Sequence, residues 1–292
     1  MRKGVFFITI IFFIISAASL SAQCRMRKGL NKCYYNDGQL YYVYLSNKAL
    51  QNLKRAKLLV SIHGYTGRLR TWRGIKRVRR AALRWKNIAD KKGLIVIAPH
   101  FDYVRFNNDY QRLNVRGLRS DIRLNNIIKS IKNQFIKLSG KKIYLFGFSG
   151  GGQFVHRYAA IHPEKVARAV AGGAGWYMWP DMRYYYPIGI KVGIAIKNFK
   201  INLHGLCRTR LLVLVGEKDK SSGAFRKRKG RINLTVTQGE SRIARGKNWV
   251  RIMAQYARKN RIPCRISFGA VPNTGHRINR RFKRIASTYL FY

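Results

Sequence analysis

The chain has 292 residues and carries 60 Lys and Arg against 10 Asp and Glu, which gives a formal net charge of +50. Hydrophobic residues make up 47% of the chain and aromatic residues 13%, and this apolar content excludes a disordered polycation. The length fits one large α/β domain, and no fixed period or low-complexity tract indicates a solenoid or a fibre.

The N-terminus carries two basic residues, then a predominantly apolar run over residues 5–15, then mostly small residues as far as Ala22. This order is typical of a secretory signal peptide, and the run is shorter than the about 20 apolar residues that a membrane-spanning helix needs. We therefore predict a signal peptide over residues 1–22 and an exported mature domain, secreted or periplasmic, over residues 23–292. An uncleaved membrane anchor and a lipid anchor on Cys24 stay open as alternatives.

Four cysteines in an exported chain predict disulfide bonds. Cys24 and Cys33 flank a short basic loop, which favours a bond between them. Cys207 and Cys264 each stand just before a predicted strand, and neighbouring parallel strands would bring them together. We predict these two pairs, one of the three connectivities that four cysteines allow, with four buried thiols as the alternative. No cysteine or histidine pair has the spacing of metal ligands, so no metal is predicted.

Continuous apolar runs, typical of strands that are covered on both faces, alternate along the chain with helical patterns. The runs cover residues 58–62, 94–98, 143–146, 166–171, 211–215 and 266–271, and residues 41–45 predict an antiparallel strand ahead of them. Helices are predicted over residues 72–89, 121–138, 153–162 and 241–258. The alternation predicts the α/β class, with a mostly parallel, doubly wound sheet that has helices on both faces. In such a sheet, the loops at the carboxyl ends of the strands carry the chemistry.

The loop after the strand over residues 143–146 reads GFSGG and opens a helix, with Ser149 at its centre. A nucleophile on a strand-to-helix turn needs small neighbours, because the backbone is strained and the helix packs close behind it. The turn also puts Ser149 at a helix N-terminus, whose partial positive charge favours an oxyanion. We predict that Ser149 is a nucleophile; the alternative is a glycine-rich turn with an idle serine.

A serine hydroxyl needs a base and a group that orients the base. Asp219 follows the strand over residues 211–215, and His276 follows the last predicted strand. The predicted catalytic residues are therefore Ser149, Asp219 and His276, each at the carboxyl end of a strand. Glu217 is the rival acid, but it stands very close to the end of its strand.

An oxyanion hole uses the amide after the nucleophile and a second amide from an early strand loop. The early loop reads HGYTG directly after the strand over residues 58–62. We assign the two donors to the amides of Tyr65 and Gly150. His63 is expected to hold this loop by hydrogen bonding and to take no part in proton transfer.

From the strand before His63 through His276, the chain resembles an α/β-hydrolase. The elbow over residues 147–152 and the HPEKV sequence over residues 162–166 are similar to those of exported bacterial esterases akin to polyhydroxybutyrate depolymerases and feruloyl esterases. The resemblance implies a serine hydrolase that forms an acyl-enzyme on Ser149, with no cofactor. The strongly basic composition departs from the superfamily, so a substrate preference does not carry across.

Residues 175–206 are rich in aromatic side chains and lie where hydrolases of this kind insert a cap. We predict a short aromatic cap there, with Trp176, Tyr177 and Trp179 lining a pocket for an apolar or aromatic ester. The alternative is that these rings pack against the edge of the sheet.

The predicted function is an exported esterase acting on a small or polymeric carboxylic ester. The alternative is a cationic, polyanion-binding protein on a hydrolase scaffold, because basic residues are spread through the whole chain and should adhere to polyanions or anionic surfaces. A compositional bias of the source would give the same charge without any such function. No motif for specific nucleic-acid recognition is present.

Overall fold

A computed structural model describes residues 24, 26–66, 71–138, 142–194, 198–220 and 238–292. The signal peptide predicted over residues 1–22 lies outside the described residues. Within the described part of the chain, no helix is both long and apolar enough to cross a membrane.

A mostly parallel eight-stranded sheet forms the centre of the fold. The described residues form ten strands, eight in this sheet and two in a separate pair. In chain order they are β1 (Gly29–Tyr34), β2 (Leu40–Leu45), β3 (Lys57–Ile62), β4 (Leu94–Pro99), β5 (Asn114–Val115), β6 (Leu118–Arg119), β7 (Ile143–Phe148), β8 (Val166–Gly172), β9 (Arg210–Gly216) and β10 (Ile266–Val271). Their order in the large sheet is β1-β2-β4-β3-β7-β8-β9-β10, and β5 pairs separately with β6. β1 and β2 are antiparallel to their neighbours, whereas β4, β3, β7, β8, β9 and β10 run parallel.

Helices cover both faces of the sheet. They are α1 (Asn47–Gln51), α2 (Thr71–Leu83), α3 (Lys86–Lys92), α4 (Tyr103–Phe106), α5 (Ser120–Gln134), α6 (Gly150–Ile161), α7 (Leu203–Arg208), α8 (Arg242–Lys259) and α9 (Arg280–Phe291), with short 3-10 turns at Tyr110–Arg112 and Pro163–Lys165. α5, α6, α7 and α8 pack on one face, and α2, α3 and α9 pack on the other. The predicted α/β class and doubly wound sheet are confirmed.

The apolar runs of the central strands reflect this double coverage. In β9, Val213 and Val215 belong to the core under α6 and α8, while Leu212 and Leu214 belong to the core under α3 and α9. Successive side chains of a strand point to opposite faces, so a strand buried on both sides needs apolar residues at every position. This is why the run over residues 211–215 does not alternate with polar residues.

The helix predicted over residues 72–89 is in fact two helices, α2 and α3. Residues 84 and 85 form a turn between them, and Trp85 in this turn is fully buried. Its indole Nε1 donates a hydrogen bond to the Ser61 hydroxyl at 3.2 Å, and its ring packs edge-on against Phe146 with a centroid distance of 4.9 Å. The helical spacing of the apolar residues continues across this break, so periodicity alone does not show it.

The cysteine predictions have two different outcomes. Cys24 and Cys33 form a disulfide, with their Cα atoms 5.2 Å apart, as predicted. The predicted bond between Cys207 and Cys264 is wrong, because both are free thiols. They do lie side by side: a hydrogen bond with Cys264, together with burial, raises the pKa of Cys207, and Arg265 N donates to Cys207 O at 2.7 Å. Cys207 lies in α7, directly before the last residue of the helix, and not in an extended lead into β9.

Candidate active site

The loop between β7 and α6 holds Ser149 in a strained conformation, with φ 59° and ψ −117°. Such a backbone conformation costs a non-glycine residue about 1–3 kcal/mol and persists only where the surroundings enforce it. Here Ser149 N donates to Gly172 O at 2.8 Å, and Gln153 N donates to Ser149 O at 3.1 Å. β8 and the first turn of α6 therefore hold the backbone of the serine on a sharp elbow.

The glycines after Ser149 are needed for close packing of α6 against the sheet. A Cβ atom on Gly151 would lie 2.6 Å from Ile62 O, and one on Gly152 would lie 2.5 Å from Gly172 O. Both distances are far shorter than a van der Waals contact, and both obstacles are backbone atoms that cannot move aside. The GFSGGG sequence over residues 147–152 therefore reflects the close approach of α6 to β3 and β8.

Asp219 and His276 meet at the carboxyl ends of β9 and β10. His276 Nδ1 lies 2.6 Å from Asp219 Oδ2, and Asp219 is 2% exposed. These strands are parallel neighbours, and Lys218 N donates across the loops to Thr274 O at 2.9 Å. The rival acid, Glu217, instead accepts a hydrogen bond from the backbone of the His276 loop. With Nδ1 on the carboxylate, Nε2 of His276 is the ring nitrogen left to act as a base.

The His276 ring lies against the residues that surround the elbow. It packs on Phe148, with a centroid distance of 4.8 Å, and a Cβ atom on Gly173 would lie 3.2 Å from His276 Cε1. Phe148 directly precedes Ser149, and Gly173 directly follows the carbonyl that binds Ser149 N. Among the described residues, the Ser149 hydroxyl forms no hydrogen bond with the ring. A catalytic hydrogen bond often tightens only when substrate binds.

The two predicted oxyanion donors belong to adjacent loops. A Cβ atom on Gly150 would lie 3.2 Å from Tyr65 N and 3.0 Å from the Tyr110 hydroxyl oxygen. Tyr110 donates from this hydroxyl to His63 O at 2.5 Å, and the Arg77 guanidinium donates to Tyr65 O. Two side chains, those of Tyr110 and Arg77, therefore bind backbone carbonyls of the loop that carries the Tyr65 amide.

The His63 side chain supports the same loop through both of its ring nitrogens. Its Nδ1 lies 2.7 Å from Gly64 O, and its Nε2 accepts a hydrogen bond from Phe101 N at 3.1 Å. Burial lowers the pKa of His63 to about 3, so the ring is neutral at ordinary working pH. Because both ring nitrogens are occupied by backbone groups, His63 holds the loop, as predicted.

Arg242 is a residue of this site that the sequence did not indicate. Its Nη1 lies 3.0 Å from Asp219 Oδ1, so the carboxylate contacts Arg242 through one oxygen and His276 through the other. Burial raises the pKa of Asp219, but the hydrogen bond and charge of His276 and the charge of Arg242 outweigh burial and lower it overall. The one sequence signal was weak: a cation directly after the helix cap Ser241 is unfavourable next to the helix dipole unless it has another partner.

The aromatic residues of the predicted cap do not share one environment. Tyr177 is fully buried and stacks on Trp249 with a centroid distance of 5.0 Å, so it offers a substrate no exposed surface, contrary to the prediction. Trp176 is 9% exposed and lies under the Arg157 guanidinium at 4.1 Å from the ring centroid. Trp179 is half-buried. The pocket role of Trp176 and Trp179, and the cap itself, stay predictions.

The site combines a strained serine on a strand-to-helix elbow with an Asp–His pair at the ends of later strands of a mostly parallel sheet. It defines an α/β-hydrolase fold, and the model of the α/β hydrolase fold family matches residues 57–188. The resemblance drawn from the elbow is confirmed as a likeness of fold. The matched range includes Ser149 and Tyr65, whereas Asp219 and His276 lie beyond it. In the described part of the chain, no group of three or more His, Cys, Asp or Glu side chains is placed to hold a metal ion.

Solved structures extend the likeness over nearly the whole chain. Poly(aspartic acid) hydrolase-1 from Sphingomonas sp. KT-1 is 20% identical with a TM-score of 0.74, over 91% of this chain and 100% of that one. The poly(3-hydroxybutyrate) depolymerase from Bordetella parapertussis is 18% identical with a TM-score of 0.70, over 91% of this chain and 89% of that one. The S-formylglutathione hydrolase of Staphylococcus aureus is 16% identical with a TM-score of 0.53, over 89% of this chain and 97% of that one. No curated protein matches the chain in sequence.

Proposed function

We propose that the protein is an exported serine hydrolase that cleaves carboxylic esters through an acyl-enzyme on Ser149. The observation that carries this proposal is the 2.6 Å contact between His276 Nδ1 and buried Asp219, next to the residues that flank the strained serine. A buried carboxylate on Nδ1 selects the tautomer whose Nε2 is free to take a proton. The α/β-hydrolase fold, with depolymerase and hydrolase neighbours, supports hydrolysis as the class of reaction.

The reaction would proceed in two halves. Ser149 Oγ attacks the ester carbonyl carbon while its proton passes to His276 Nε2, and the amides of Tyr65 and Gly150 stabilise the oxyanion of the tetrahedral intermediate. His276 then returns the proton to the leaving alkoxide, which departs as the alcohol and leaves the acyl group on Ser149. Water attacks the acyl-enzyme by the same route and releases the acid and the free serine. Asp219 stays ionised and stabilises the protonated ring in each half.

Two features support export. The apolar N-terminal run reads as a secretory signal, and the disulfide between Cys24 and Cys33 forms directly after it. Disulfides persist in oxidising compartments and are rare in the cytosol.

A fluorophosphonate probe tests the nucleophile directly. We expect the wild-type protein to be labelled on the peptide that contains Ser149, and to hydrolyse short neutral esters such as p-nitrophenyl acetate and butyrate. Ser149→Ala should lose both, because it removes the oxygen that would carry the acyl group, whereas Ser267→Ala at an exposed position of β10 should lose neither. Labelling elsewhere, or esterolysis that survives Ser149→Ala, contradicts the proposal.

A second candidate function is polyanion binding on a hydrolase scaffold. The composition favours it, because 60 cations face only 10 carboxylates, so most cations have no acidic partner in the chain. The substrate panel should therefore include a polyanion, and poly(aspartic acid) is a suitable one because one structural neighbour is a poly(aspartic acid) hydrolase. Wild-type protein that hydrolyses no ester yet binds the polyanion at physiological salt favours this second function. If the polyanion retains wild-type protein and Ser149→Ala equally, and only the variant loses ester turnover, the protein is an esterase that also adheres to polyanions.

A further inference from the structure

We propose that Arg242 is a positioning residue of the active site: it holds one oxygen of Asp219 so that the other faces His276, and it sets the pH at which His276 becomes an effective base. This inference rests on the proposed hydrolase function. Arg242 touches neither the serine nor any reacting atom, so its action passes entirely through the carboxylate.

The geometry divides the carboxylate of Asp219 between two partners. Oδ1 receives the Arg242 guanidinium at 3.0 Å, and Oδ2 receives His276 Nδ1 at 2.6 Å. The Asp219 side chain is 1% exposed and the Arg242 side chain 14% exposed, so water screens little of the interaction between them. A carboxylate held at both oxygens cannot rotate about its Cβ–Cγ bond without losing one contact.

Arg242 is itself well fixed. It is the first residue of α8, and Ser241 caps the helix by accepting a hydrogen bond from Ala244 N at 3.2 Å. The contact therefore joins a rigid helix end to the loop after β9. A guanidinium on a capped helix can orient a partner more sharply than one on a free surface chain.

A second Arg–Asp–His cluster shows what is particular about the first. Buried Asp121 contacts Arg119 at 2.6 Å and His162 at 2.8 Å, far from the elbow. The pattern alone therefore marks no active site. The histidine of the first cluster differs because its ring lies against Phe148 and beside Gly173, next to Ser149.

Of the charged groups near Asp219, Arg242 and His276 are the two whose charges lower its pKa, and Arg242 can be replaced without removing the proposed base. Arg245 acts on Asp219 at longer range, and burial lowers the pKa of Arg245 to about 10, so it stays cationic below that pH. Tyr177 also acts on it, and burial raises the pKa of this phenol, so it stays neutral. In the flanking loops, Glu217, Lys218 and Arg277 are solvent-exposed and therefore screened.

Removing the Arg242 cation should change two measurable quantities. The full charge of Asp219 would then act on His276 alone, which favours the protonated ring and moves the acidic limb of kcat/KM to higher pH by about one unit. The freed carboxylate would also turn more easily, which lowers the plateau of kcat/KM by roughly tenfold. A merely structural salt bridge would lower activity without moving the limb.

The kinetic test compares Arg242→Gln, Arg242→Lys and Arg251→Gln. Arg251 is exposed on the same helix, so its variant changes the net charge equally without touching Asp219. We expect the limb to move only in Arg242→Gln, and Arg242→Lys to keep the wild-type limb because it retains the cation. An unmoved limb in Arg242→Gln, or an equal movement in Arg251→Gln, overturns the proposal. Thermal unfolding of each variant confirms that it is folded before its kinetics are compared.

A second measurement does not depend on turnover. In Ser149→Ala, the ring titrations of His276 and His162 can be followed by NMR with and without Arg242→Gln. The midpoint for His276 should rise while that for His162 stays constant, since Arg119 still faces Asp121. A His276 midpoint that responds to Arg242→Gln, when the protein that retains Ser149 hydrolyses no ester, refutes the hydrolase function but leaves the Arg242 coupling standing. An active enzyme in which neither midpoint nor limb moves refutes the coupling alone.

Discussion

Tyr110→Phe removes one hydroxyl that supports the loop carrying the Tyr65 amide, the proposed oxyanion donor. The Tyr110 hydroxyl donates to His63 O at 2.5 Å, and the ring stacks on Phe101 with a centroid distance of 5.1 Å. Burial raises the pKa of Tyr110, so the hydroxyl remains a neutral donor at every working pH. The variant keeps the ring and its packing, so its effect isolates the hydrogen bond.

Two magnitudes follow from this geometry. Leaving the buried carbonyl of His63 without this donor should lower the free energy of unfolding by about 1–2 kcal/mol. The loop also carries the Tyr65 amide, and complete loss of an oxyanion donor lowers kcat by roughly 10²–10³-fold. Because the amide is loosened and not removed, we expect kcat to fall by about tenfold, or about 1.4 kcal/mol of transition-state stabilisation.

Urea unfolding and the hydrolysis of p-nitrophenyl acetate measure the two effects separately. The matched control is Tyr44→Phe, which removes a hydroxyl that donates to Asp90 at 2.8 Å on the opposite side of the sheet. The control should lose stability and keep kcat. A wild-type kcat in Tyr110→Phe, or an equal fall of kcat in the control, would refute the role given to Tyr110.

Three further predictions concern stability. Burial lowers the pKa of His63 in the folded protein to about 3, so between about pH 6.5 and pH 3 only the unfolded chain takes up this proton. The free energy of unfolding should therefore fall by about 1.4 kcal/mol for each pH unit of acidification in this window. In urea unfolding, His63→Gln should show a flatter dependence on pH. Gly151→Ala should lower the free energy of unfolding by about 1–3 kcal/mol because its Cβ would lie 2.6 Å from Ile62 O, whereas Gly193→Ala, with no atom within 4 Å, should leave the melting temperature unchanged; equal melting temperatures for the two variants count against this packing account. Cys24→Ser with Cys33→Ser should cost about 2–3 kcal/mol through the loss of loop constraint and leave kcat as it is, and a fall in kcat would show that this edge of the sheet reaches the active site.

The elements that the sequence predicted best are the central strands, because a strand buried on both faces is apolar along its length. Central strands such as β4 and β9 must be apolar at every position, and the chain shows this directly. Elements at the edges carry weaker patterns. β1 has mixed burial, and it was not predicted. α9 was missed as well, although Phe282, Ala286 and Leu290 recur on one face at helical spacing.

The sequence by itself determined where the elbow lies and the chain order of Ser149, Asp219 and His276. A serine between glycines after a buried strand, followed by acid and histidine at later strand ends, can be recognised because each lies in a short segment with its own local pattern.

Only the tertiary structure decided which groups surround these residues. Arg242 and Asp219 are 23 positions apart, and Tyr110 and His63 are 47 apart, and no periodicity links such distant segments. The same holds for Tyr177, whose ring packs between His156 and Trp249 in the core. Contacts of this kind depend on which loops the strand order brings side by side, and that order is set by the packing of the whole sheet.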